Sequence, residues 1–139
     1  MKAMPSPDFS VTKDADAREL LTAMLAPALR RQLWAFFLDA TGRALPVLIP
    51  IDGIPVSPPP SELETIVRGL GAVLDAHAAG GSILFALERP GAGVPHAFDE
   101  LWAEGLHEAA ARQSVEVFGV YLLHSDGLRM LKASSTARR

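Results

Sequence analysis

Two short runs, LWAFFL at residues 33–38 and SILFAL at residues 82–87, are apolar at nearly every position. A strand with one wet face alternates polar and apolar side chains, whereas a strand covered on both faces does not. Both runs therefore predict central strands, which need helices to cover them. Three helical stripes are present. Leu20, Leu21, Met24, Leu25, Ala28 and Leu29 fall on one face behind Asp16 and Glu19, a capping-box pair, and Pro27 predicts a kink or an early end. Leu63, Ile66, Val67, Leu70, Val73 and Leu74 form a second stripe, opened by Ser61 and Glu64 at capping-box spacing and stopped by Gly80-Gly81. Leu101, Trp102, Leu106, Ala109 and Ala110 give a third, over residues 98–113.

The remaining strands are less uniform. Asp39-Ala40-Thr41-Gly42 reads as a turn into a strand at residues 44–51, where Pro46 and Pro50 each remove a ladder donor. That strand is expected at a sheet edge or bulged. Residues 115–123 read as strand, 125–127 as a hairpin turn and 128–131 as its return. The order helix, strand, strand, helix, strand, helix, strand, strand predicts one three-layer α/β domain with a mixed sheet, over residues 14–131. Residues 1–13 are expected to be a flexible arm and 132–139 a flexible tail.

Composition narrows the function classes. At 139 residues the chain suits one core, and a net charge of −3 offers no general basic field for nucleic acid or an anionic membrane. Cysteine is absent, which excludes disulfides, thiolate metal sites and cysteine nucleophiles. No apolar run approaches the ~18 residues of a membrane span, and the first residues lack a secretory pattern, so the expected location is the cytoplasm.

Few residues suggest chemistry. Gly91-Ala92-Gly93 lies between a strand and a helix but lacks the Lys-Ser/Thr of a phosphate loop, and reads as a flexible connection. Ser57, Ser61, Ser82 and Ser125 have no nucleophile-elbow context. His107 lacks the second histidine of a zinc-protease helix, so Glu104, His107 and Glu108 read as a solvated face. His77 is expected near a helix end and His124 exposed before a hairpin. One polar cluster stands just past a strand's carboxyl end, where open α/β sheets bind ligands: Glu88 and Arg89, with His96, Asp99 and Glu100 shortly after. Arg89 and the next helix start can grip an anion there, with His96 or Asp99 moving a proton. Alternatively, Arg89 forms an internal ion pair with Asp99 or Glu100.

The element order and several phrases resemble the RadC-like branch of the JAB/MPN metalloprotease superfamily, and the expected three-layer fold is JAB/MPN or cytidine-deaminase-like. FLDATGR at residues 37–43 resembles that family's strand end and turn, and LERPGA at residues 87–92 occupies the place of its His-Asn-His-Pro-Ser-Gly. The resemblance covers roughly residues 30–131. It implies an upstream Glu as general base, a His-x-His pair and, after seven residues, a Ser-x-x-Asp, with two imidazoles and a carboxylate holding zinc and a metal-bound water. Here those positions hold Arg31, then Leu87 and Arg89, then Ala97 and Glu100. The resemblance thus implies a domain without metal or other cofactor. Since inactive MPN domains serve protein contacts, it also implies an interaction module with a protein partner. The proline-rich loop at residues 54–60 and the cleft around Glu88, Arg89, His96 and Asp99 are the expected contacts. Self-association through the strand at residues 44–51 is a further expectation.

Overall fold

The computed structural model describes residues 4–132. Its elements are α1 (Asp14–Leu25), β1 (Gln32–Leu38), β2 (Ala44–Asp52), α2 (Pro60–Ala78), β3 (Ser82–Glu88), α3 (Ala97–Arg112), β4 (Val117–His124) and β5 (Gly127–Lys132). They form one three-layer α/β domain around a five-stranded mixed sheet ordered β2-β1-β3-β4-β5. Only β3 and β4 run parallel, and α3 is the crossover that a parallel pair requires.

The uniformly apolar strands do separate two cores. Leu33, Ala35, Phe37, Ile83, Phe85 and Leu87 face α2 and α3, where Leu63, Val67, Leu70, Leu74, Trp102 and Leu106 meet them. The alternate residues Phe36, Leu38, Leu84 and Ala86 face α1 and bury Ala17, Leu20, Leu21 and Leu25. Strand β2 is an edge strand and is also bulged. Phe36 pairs with Leu48 but Leu38 with Ala44, so Pro46 sits in the irregularity, where its missing N–H costs no regular ladder bond.

Helix starts depart from the expected caps. Helix α1 begins at Asp14 with Lys13 as N-cap, so Asp16 sits inside the first turn. Its carboxylate accepts the N–H groups of Thr12 and Lys13 at 3.0 and 3.3 Å. The helix ends at Leu25, because the residue before Pro27 is driven out of the helical region. Leu29 therefore leaves the helical stripe and is exposed. Helix α2 starts at Pro60, which is preset for the first helical position, and Pro59 rather than Ser61 is its N-cap. Glu64 instead binds Arg112 and Gln113 of the α3 end, with Arg112 Nε at 2.6 Å.

The expected N-terminal arm is docked from Phe9 onward. Val11 is buried, its N–H donates to the Gly42 carbonyl at 2.7 Å, and Ser10 bridges to Arg43. Of the expected tail, Lys132 closes β5 and pairs with Glu104, while the residues after it lie outside those described.

Gly81 enters β3 beneath the end of β1. A Cβ there would stand 2.0 Å from the Leu38 carbonyl oxygen and 2.9 Å from that of Ala78. Both obstacles are backbone and cannot swing aside, so Gly81→Ala should lower the unfolding free energy by about 1–3 kcal/mol, the usual cost of overpacking. Urea denaturation checks this, with Gly69→Ala as the control, since an added Cβ meets nothing within 4 Å there.

Candidate functional site

The polar cluster read from the sequence divides between the two faces of the sheet. Glu88 is the last residue of β3 and, by alternation with Ala86 and Leu84, lies on the α1 face. Its buried carboxylate accepts four hydrogen bonds: the N–H groups of Leu29 and Arg30 at 2.6 and 3.2 Å, Gln32 Nε2 at 2.8 Å and Trp34 Nε1 at 2.8 Å. Burial pushes its pKa up, but the donors, led by the Leu29 N–H and the Trp34 indole, outweigh that and hold it below the usual glutamate value. Glu88 is an anchor that fixes the chain between α1 and β1.

Arg89 points to the opposite face and is buried, 5% exposed. Its Nε and Nη2 reach Asp99, with the shortest contact, Nη2 to Oδ2, at 2.8 Å. Nη1 donates to the Ala92 carbonyl at 2.9 Å, and Nη2 also donates to the Val94 carbonyl at 3.1 Å. The guanidinium thus holds the β3–α3 loop from within. Serine 125 adds to this: Gly91 N–H donates to Ser125 Oγ at 2.7 Å, and Ser125 N–H to the Gly91 carbonyl at 3.0 Å. Gly93 lets the loop lie on His124, whose ring a Cβ would meet at 2.5 Å. The glycine loop expected to be flexible is pinned, and His124 beneath it is half-buried rather than exposed.

Asp99, 1% exposed, also accepts the His96 N–H at 2.7 Å. Burial raises its pKa, but Arg89 and the His96 N–H outweigh that and leave it lowered. The structure therefore brings Arg89 and Asp99 together as an internal ion pair. His96 and Glu100 are exposed at the α3 start, away from Glu88.

Three further features escaped sequence reasoning. Arg31, just before β1, donates Nη2 to the Val56 carbonyl at 3.1 Å, and Trp102 Nε1 donates to the same oxygen at 3.1 Å. The proline-rich loop is thus fastened at its first residues, and Ile54 is buried. His107 is buried, not solvated, because it lies on the α3 stripe with Ala103, Leu106 and Ala110. Its spacing from those residues was the available signal. A groove of about 470 Å³ lies at the other end of β3, between the segment at residues 11–14, the turn at 39–42 and residues 116–118. There the Tyr121 hydroxyl donates to Asp14 at 2.6 Å, and both burial and that carboxylate push the phenol pKa up.

Comparison of the chain with protein-family models and with curated proteins finds no match in either.

The Asp99 and Glu88 carboxyls titrate below their unfolded values, near 4. The stability they add is complete above that range and is lost as pH falls through their lower folded pKa values. Denaturation midpoints should accordingly be flat from neutral pH down to about 5 and fall below it. Asp99→Asn should make that fall shallower and cost about 3–5 kcal/mol at neutral pH by stranding the Arg89 charge. The double variant Arg89→Met/Asp99→Leu should lose less than Asp99→Asn alone, because it leaves no unpaired ion. An Asp99→Asn variant as stable as the parent contradicts the buried-pair assignment.

Proposed function

We propose that the chain is a metal-free domain of the JAB/MPN kind, related to its RadC-like branch, that serves as a protein-interaction module in the cytoplasm. What supports this reading is the state of the family's ligand positions. Leu87 and Arg89 stand at the two histidine positions. Leu87 is packed into the α2–α3 core, and the Arg89 guanidinium fills the space beside Asp99. A divalent cation there would meet the fixed positive charge of Arg89 on the carboxylate it would need, so the residues do not fit zinc. Among the described residues, no three His, Asp or Glu side chains come together as a metal-holding group.

A small-anion site or hydrolase built on Arg89 is the weaker reading. Every donor nitrogen of that guanidinium is already directed at Asp99 or at a loop carbonyl, and Glu88 faces the other side of the sheet.

The test is metal content by mass spectrometry on the purified full chain, with thermal melts in zinc and in chelator. The expected result is below about a tenth of an equivalent of metal and the same melting temperature in both, since a structural zinc site contributes directly to folding. Stoichiometric metal that raises the melting temperature overturns the proposal.

A further inference from the structure

Four of the seven exposed large apolar side chains among the described residues lie near one end of the sheet on the α2–α3 side: Val56, Val94, Phe98 and Leu101, between 43% and 68% exposed. Their proximity follows from shared partners. The Val56 carbonyl receives Trp102 of α3, and Phe98 and Leu101 lie within four residues before Trp102 on that helix. The Val94 carbonyl receives Arg89, which also holds Asp99 of the same helix. Scattered surface apolar residues need no explanation, but a group confined to one end marks a contact surface.

Among these residues sits an incompletely satisfied cation. Gln32 pairs with Glu88 across β1 and β3, which places Arg31 alongside Arg89 on the α2–α3 face. Arg31 is half-buried, and its Nε is buried with no hydrogen-bond partner. The charges acting on it are Asp99, already held by Arg89, and Arg89 itself, which repels it. Arg31 itself bonds only the Pro55 and Val56 carbonyls, so of the two neighbouring guanidinium groups only Arg89 is paired with a carboxylate. Of the other charges at this end, Arg30 is paired with Asp52, and Glu100 is exposed.

Building on the interaction-module reading, we infer that this end of the sheet docks a linear peptide segment of a partner protein. An Asp or Glu side chain of the segment pairs with Arg31, and its flanking apolar residues cover Val56, Val94, Phe98 and Leu101. The carboxylate supplies the second negative charge that the two guanidinium groups lack. The apolar rim gives the contact its burial, and Arg31 gives it selectivity for an acidic sequence. Both loops that form the rim are fastened by Arg31, Trp102 and Arg89, so little order has to be gained on binding.

The experiment is selection from a random dodecapeptide display library on the immobilised full chain, with the peptide carboxyl ends fused so that only side chains carry acid. Enriched sequences should contain Asp or Glu flanked by large apolar residues. A synthetic peptide from that set should bind about tenfold to a hundredfold more weakly when its acid is changed to the amide, the range for a hydrogen bond to a charged group. Arg31→Gln should weaken binding by a similar factor, and Arg31→Lys should retain part of it. Phe98→Ser and Leu101→Ser, at exposed positions, should weaken binding while leaving the melting temperature unchanged. The peptide amide tests the charge even if Arg31→Gln fails to fold. Enriched peptides without acid, or acid-independent binding, overturn this inference and leave the module reading standing. So does binding that Phe98→Ser leaves intact, and so does the absence of any enrichment. Stoichiometric, stabilising metal overturns the module reading itself.

Discussion

A guanidinium without water must find its partners inside the protein, and the placement of Arg89 organises one end of this domain around that requirement. Arg89 follows β3 directly, so its side chain is held against the α2–α3 layer before the chain leaves the sheet. Asp99 answers it from the first turn of α3, ten residues on, and the carbonyls of Ala92 and Val94 answer it from between. One ion pair therefore sets where the loop runs and where α3 begins. Asp99 also holds the His96 N–H, so the same carboxylate caps the helix. Charge neutralisation, loop path and helix start cannot be altered separately.

The parts of this arrangement that were legible in the sequence are those with a short-range signature. LWAFFL and SILFAL lack alternation, and the structure puts a core on each side of both. The prolines of β2 marked an edge and a bulge because a missing N–H has the same consequence wherever the chain goes. The Arg89–Asp99 pair was one of two alternatives, since opposite charges ten residues apart across a loop are either a pair or a ligand grip. What could not be read were partners without a side-chain signature. Two of the four donors to Glu88 are N–H groups of Leu29 and Arg30, nearly sixty residues earlier, and backbone donors look alike in every sequence. The N-terminal arm was misjudged for a similar reason. Its polar composition outweighed Phe9 and Val11, and only the fold shows that a strand turn lies ready to receive them. His107 was legible in principle, but its two acidic neighbours suggested a wet face, while its stripe belonged to the core.

The two ends of the sheet differ in physical character. At one end, the groove beside Tyr121 is lined by groups that satisfy one another: Asp14 takes the phenol and Arg18, and Asp39 takes Thr41 and Arg43. At the other, Glu88, Arg89 and Asp99 are equally complete, yet Arg31 beside them is not. Concavity and unmet interaction therefore do not coincide in this molecule. A concavity whose Asp14 and Asp39 carboxylates are already taken offers a ligand less charge than a shallow surface with an underpaired cation and apolar rim.

That asymmetry follows from how the charges at the second end are distributed. The Arg89 guanidinium, just past β3, is neutralised by the Asp99 carboxylate on the facing helix. A second arginine at the neighbouring strand is then one positive charge too many. Burial and Arg89 both act to lower the Arg31 pKa, and Asp99 offsets them only in part. Arg31 keeps its place because the Pro55 and Val56 carbonyls hold its Nη2, so it cannot swing fully into water to relieve the repulsion. A cation fixed by carbonyls, short of a counter-ion and bordered by exposed carbon has its strongest attraction to an anion carried on an apolar chain. Glu88, Arg89 and Asp99 are each met from within, and Arg31 is the half-buried charge at this end left without a carboxylate of its own.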